Sequence, residues 1–489
     1  MKSAARAWKL AGRGGGILLL AAGSLANGAP WSLRQELQVE FASTADAAQA
    51  TLMIADLPED KDWAVSVRWD CQLPDNGSTR DILVRHGLKG TVFLPAPDPA
   101  GQYDAVCRRA SGGFSIGGRL TGPATPPPVR TANQLFQEIL DTRLEWECQT
   151  DRPVVAFSFP AGSLPMPADP VFQEALARAL LNAGIQLTVN LEVLRGNPHL
   201  PPEDLLSGWP VKLGSGTVDL PLVQAQLDKL AALKPAYQKQ SRLFFLSGRA
   251  NLDAAGLVRL DRLGALLARH DNWWYCTLNE YAAYERQRRL CRLRAGSAGP
   301  GPGRSFILER PMPAELGTRV PLTALLDRPV TAVRLDLVPV TVKRYGSRIQ
   351  FQLPLPPGWG LPERIDRIDN PRNRATPPAG VRSREFPGLL AWLCADPAGS
   401  RVILTLRNQS AKPVTAITVA ALLPPACQAG RIQETTPDLA PGETRRLSFP
   451  LRHDRTGAFW QDGSQRFASS VDFTAAGQPG RLYATTLVE

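Results

Sequence analysis

The stretch DWAVSVRWDCQLPDNGS (62–78) decides how this 489-residue chain is read. Residues 63–69 are rich in Trp and Val and alternate in character, the mark of a strand. The strand delivers a carboxylate and a thiol, Asp70 and Cys71, and then meets a cluster of turn residues. Working outward, similar short apolar runs recur: GTVFLP (90–95), FSIGG (114–118), VVAFSFP (154–160), IQLTVN (185–190), RLFFLSG (242–248) and WWYCTL (273–278). Between them, ANQLFQEILDTRLEWE (132–147), DPVFQEALARALLNAG (169–184) and LVRLDRLGALLARH (257–270) space apolar residues three or four apart, as helices do. This alternation predicts a parallel sheet or barrel over 50–294, with functional groups at the C-terminal ends of its strands. Asp70 sits at such an end.

Beyond it the pattern changes. AGSAGPGPG (295–303) reads as a flexible linker. A β-rich module follows over 304–382, where VTAVRLDLVPVTV (330–342) and RIQFQLPL (348–355) alternate with period two. Short strands and turn phrases such as LAPGET (439–444) then predict an immunoglobulin-like β-sandwich over 383–489.

The N-terminus is a separate object. Lys2, Arg6, Lys9 and Arg13 precede the apolar run GILLLAAGSLA (16–26), the layout of a signal peptide ending at Ala26. An exported, bacterial protein is expected, periplasmic or extracellular. Losing those four cations takes the net charge from +11 to +7. No basic run with interleaved aromatics favours nucleic acid, while an anionic polymer is permitted as partner. No apolar run reaches the roughly 18 residues of a transmembrane segment, so none is expected in the mature chain. The seven cysteines are widely spaced without a CxxC pair, which argues against a cysteine-ligated zinc and leaves any pairing open.

The order of motifs over 60–285 resembles the polysaccharide deacetylase family (NodB homology, related to carbohydrate esterase family 4). SVRWDC (66–71) with ILVRHGLKGTVFLP (82–95), GGFSIGGRLTGP (112–123), VVAFSFPAGS (154–163), LFFLSGRA (243–250) and WWYCTLNEYAAY (273–284) carry the resemblance. It implies a distorted (β/α) barrel of the polysaccharide deacetylase type, followed by the C-terminal all-β domains. It also implies hydrolysis of an N-acetyl group, with a divalent ion held by one Asp and two His, a second Asp as base, an orienting Arg and a late His as acid. Mapped onto this chain, the base position falls on Asp70 and is retained. The metal-ligand positions fall on Cys71, Arg119 and Pro123, the orienting Arg on Ser158 and the acid on Arg249. The four histidines, 86, 199, 270 and 453, include no pair at ligand spacing. No metal and no cofactor are therefore expected.

Each candidate carries two readings. Asp70 is either a base in a rearranged site or a carboxylate paired with a neighbouring cation. Cys71 is a nucleophile or soft ligand, or else an inert or disulfide-bonded thiol. Arg119 and Arg249 either convert the metal site into an anion pocket or pair with Asp70 and fill the space. Trp273 and Trp274 could stack on sugars, but neighbours on a strand face opposite sides, so one of them belongs to the core. The expectation drawn from this is a protein of carbohydrate metabolism that has lost the metal triad, a glycan-binding or scaffold pseudoenzyme with a polysaccharide as partner, an anionic one being permitted. Two alternatives stay open: a hydrolase of carbon–nitrogen (non-peptide) bonds, and a structural envelope protein.

Overall fold

The computed structural model describes residues 32–70, 78–96, 113–120, 131–159, 170–189, 205–214, 218–249, 252–298, 301–311, 316–345, 348–356, 361–369, 388–395, 400–425, 427–429, 433–453 and 465–488. The segment read as a signal peptide, 1–26, lies outside them. Among the described residues, no helix is long and apolar enough to cross a membrane.

The alternation of strands and helices builds a barrel. Its strands are β1 (Trp63–Asp70), β2 (Gly90–Leu94), β3 (Phe114–Arg119), β4 (Ala156–Ser158), β5 (Leu187–Val189), β6 (Trp209–Lys212), β7 (Leu243–Arg249) and β8 (Trp273–Tyr275). They run in the order β5-β4-β3-β2-β1-β7-β6, and every pairing is parallel. A single parallel bridge, Leu187 to Leu206, joins β5 to the residues leading into β6. The eighth strand is where the barrel is distorted. β8 pairs with the first half of β1 (Trp273 to Trp63), and β2 takes over along the same edge from Val67 to Asp70. The helices are α1 (Ser78–Arg85), α2 (Ala132–Thr150), α3 (Pro170–Asn182), α4 (Leu220–Ala232), α5 (Lys234–Gln240), α6 (Ala254–Leu267) and α7 (Leu278–Leu290).

Alternation along β1 sorts its side chains into two layers. Trp63, Val65, Val67 and Trp69 join an outer core with Ile82 of α1 and Leu260 of α6. Ala64 joins the lumen core with Phe93, Phe245 and Leu187. Ser66, Arg68 and Asp70 share the lumen face with Ala64. The two tryptophans at 273 and 274 divide as expected of strand neighbours: Trp273 packs on the outer core against Phe244, and Trp274 on Tyr284.

Two further β units flank the barrel. In the first, Arg292–Ala298, Gly303–Pro311, Ser32–Phe41, Val330–Leu335 and Val338–Pro339 form one sheet in that order. Val342–Tyr345, Arg348–Leu353, Leu322–Leu326 and Leu52–Ile54 form the other, and Leu37, Phe306, Leu326 and Phe351 belong to the shared core. Here the structure differs from the expected boundaries. Of the stretch 295–303, read as a linker, the described residues 295–298 and 303 belong to paired strands, with Ala298 paired to Arg304. At Gly296 a Cβ would stand 2.2 Å from Ser305 Oγ, so this glycine serves close strand approach rather than flexibility. The β-rich module also begins with Ser32–Phe41, before the barrel, and its expected last part, Arg364–Asp369, pairs with the C-terminal strand instead.

That last unit stacks a five-strand sheet (Arg364–Asp369, Gln478–Val488, Gln465–Ala475, Val414–Leu422, Gln433–Thr436) and a four-strand sheet (Leu389–Ala395, Arg401–Asn408, Thr444–His453, Cys427–Ala429). Leu404, Val419, Phe449 and Val471 belong to its core. The chain is thus a distorted (β/α) barrel accompanied by all-β units. Cys148, Cys276 and Cys291 are unbridged thiols.

Candidate functional site

Three strand ends meet at the C-terminal mouth of the lumen. β1 supplies Arg68 and Asp70, β3 supplies Arg119 and β4 supplies Ser158. Strand register places Arg119 beside Ser158 and Asp70 between Phe93 and Arg249.

Asp70 is held at both oxygens. Arg68 donates from Nη2 to Oδ2, and the Ser158 hydroxyl donates to Oδ1 at 2.9 Å. The same Arg68 Nη2 also donates to Ser158 Oγ at 2.8 Å, closing a three-membered ring of contacts. The Arg68 side chain is 2% exposed and that of Asp70 26%. Burial pulls the Arg68 proton affinity down, the Asp70 charge opposes that pull, and the nearby Arg119 charge adds to it. A guanidinium stays protonated under such a load. The pair is a charged one, and among the described residues Arg68 Nε has no hydrogen-bond partner.

Below this ring the lumen stays polar for one more layer. Thr91 Oγ1 and Ser115 Oγ are 2.8 Å apart, and Thr91 Oγ1 accepts the Leu278 amide at 2.9 Å, fixing the start of α7. Gly117 leaves room here: a Cβ on it would stand 2.4 Å from the Phe93 ring.

No family model matches the sequence, and no curated protein matches it. Among solved structures the chain is similar to a family 4 carbohydrate esterase from Streptomyces lividans in complex with acetate. That likeness has 14% identity, covers 45% of this chain and 92% of the other, and has a TM-score of 0.28. A family 4 acetyl xylan esterase from Clostridium thermocellum, in complex with a cobalt ion, shows 16% identity over 44% of this chain and 89% of that one, with a TM-score of 0.27. A CE4-family pseudoenzyme from Bacillus anthracis shows 13% identity over 46% and 66%, again at 0.27. Likenesses this loose carry no residue role onto this chain.

Whether a divalent ion suits this mouth is decided by its donors. A metal ligand must offer a lone pair, and a guanidinium offers none. Of the described side chains here, Arg68 and Arg119 are cations, and each Asp70 oxygen already accepts a hydrogen bond, from Arg68 or from Ser158. Among the described residues, no three His, Cys, Asp or Glu side chains come together. His86 instead binds Asp261 at 2.8 Å, and His270 stacks on Trp273 with ring centroids 3.7 Å apart. This set does not fit a divalent ion.

Of the sequence candidates, Asp70 and Ser158 are in direct contact and Arg119 is buried beside Ser158. Arg249 ends β7 opposite Asp70 in register. Cys71 and Pro123 lie outside the described residues. The residue that sequence reading passed over is Arg68. Its signal was present: two places before Asp70 on an alternating strand, it had to share the aspartate's face.

Proposed function

We propose that this chain is an exported, polysaccharide-deacetylase-like protein of carbohydrate metabolism that works as a glycan-binding or scaffold pseudoenzyme. The observation that carries this reading is the engagement of both Asp70 oxygens by Arg68 and Ser158. Each Asp70 oxygen already accepts one of these hydrogen bonds, which holds the carboxylate as the ionic partner of a buried guanidinium, and an activated water needs an ion that these donors do not suit. The order of sequence motifs supports the deacetylase ancestry, and the basic, apolar N-terminal segment supports export. An immunoglobulin-like nature for 383–489 and an anionic polysaccharide as partner belong to the same reading.

The test is acetate release from chitin-like and peptidoglycan-like N-acetylated oligomers, with zinc added, for wild type and Asp70→Asn. Equal background release from both is expected. Release that depends on Asp70 would restore the hydrolase of carbon–nitrogen bonds and remove the pseudoenzyme.

A further inference from the structure

Helix α2 presents acidic groups to the C-terminal unit along most of its length. Asp141 meets Arg466 at 3.1 Å and Arg367 at 3.6 Å, and Glu145 meets Arg367 at 3.3 Å. Asp151, which caps the helix in a left-handed conformation, accepts the Ile365 amide at 2.9 Å. Glu147 is fully buried at the centre. Its Oε1 accepts from Arg143 Nε and from the Val154 amide, each at 2.8 Å. Its Oε2 accepts from the Tyr483 hydroxyl, with Arg481 Nη1 at 3.5 Å. Arg481 is itself gripped by Asp472 at 2.7 and 3.1 Å. An apolar layer surrounds this seam: Phe136, Ile139 and Leu140 of α2 form one core with Ile365, Leu422 and Tyr483.

We propose that the C-terminal sandwich is a clamp locked onto the barrel through this acidic face of α2, and that acid opens it. The contact joins units that the sequence presents as separate, and it has no apolar substitute for its central carboxylate. Removing one partner of a buried ion pair is far more disruptive than removing an exposed one.

The groups facing Glu147 set the direction of the pH response. Arg143 of α2 and Arg481 and Tyr483 of the last strand act on Glu147 directly, Asp472 grips Arg481, and Arg367 and Asp366 act on the neighbouring Cys148. Burial alone would raise the Glu147 carboxyl, but Arg143 and Arg481 overcome it and hold the group below its ordinary value. Arg143 and Arg481 are themselves held more firmly protonated, and burial keeps the Tyr483 hydroxyl neutral as a donor. A carboxylate depressed in the folded state stabilises fully above its unfolded value, about 4.3, and that stabilisation is lost as pH falls through the folded value. Below it, two guanidiniums face each other in a dry contact with their central anion gone.

Calorimetry on the full chain tests the clamp. At neutral pH the barrel and the C-terminal unit are expected to unfold in one transition, and on acidification below the ordinary glutamate range the transition splits. Glu147→Gln, uncharged at every pH, is expected to lower the transition by about 5 °C or more and to show the split already at neutral pH. Separate transitions in the wild type at neutral pH, or an identical pH profile in wild type and Glu147→Gln, would overturn the proposal. Should Glu147→Gln not fold, Asp141→Asn at the rim of the seam is expected to shift the profile the same way by less, and no shift there overturns it equally.

Discussion

Arg68→Ala removes the cation from a carboxylate whose second oxygen is already bound to Ser158. Breaking a buried pair from one side costs about 3–5 kcal/mol, so urea unfolding of this variant should show a loss of that order. Asp70→Asn leaves the 2%-exposed guanidinium without its anion and should cost a comparable amount. Arg68→Met combined with Asp70→Leu removes both charges and should recover most of the loss. A double variant as unstable as the singles would mean that the pair is not a mutual one. Ser158→Ala deletes one donor and one acceptor in the same ring and should cost about 1–2 kcal/mol. At this scale the sequence showed Asp70, Arg119 and Ser158 as a set, because motif order carries strand ends. It hid the pairing, because Arg68 reaches across the lumen to a strand 90 residues further along the chain.

Strand β3 is the element on which the mouth depends. Its neighbouring glycines each yield to an aromatic ring: a Cβ on Gly117 would meet Phe93 at 2.4 Å on the lumen side, and one on Gly118 would meet Phe157 at 2.6 Å on the other. Gly117→Ala should therefore overpack the lumen beneath Arg119 and destabilise by about 1–3 kcal/mol, readable as a lower denaturation midpoint at unchanged slope. An unchanged midpoint would show that Phe93 can move away freely. Seven of the eight barrel strands were legible because their apolar runs are short and separated by helical spacing, while β6, α4 and α5 were passed over. The strand Ser32–Phe41 was passed over, although Leu33, Leu37, Val39 and Phe41 lie on its buried face, and its partners lie beyond residue 300. Composition misled at 295–303, where glycine signals a linker by frequency and serves a strand crossing by geometry.

For the molecule as a whole, three units share one chain without following one another in order. The first β unit takes strands from both sides of the barrel, and the last is fastened to α2 by buried charge. Sequence periodicity reports which face of an element is apolar but not which distant element covers it, so these assemblies were not legible. At the barrel mouth a guanidinium and a hydroxyl each engage one oxygen of Asp70, and the described donors around it do not suit a divalent ion. The most direct measurement is calorimetric titration of the full-length protein with zinc at neutral pH, alongside Asp70→Asn. No saturable binding that depends on Asp70 is predicted. One zinc ion bound per chain, and lost in Asp70→Asn, would contradict the account.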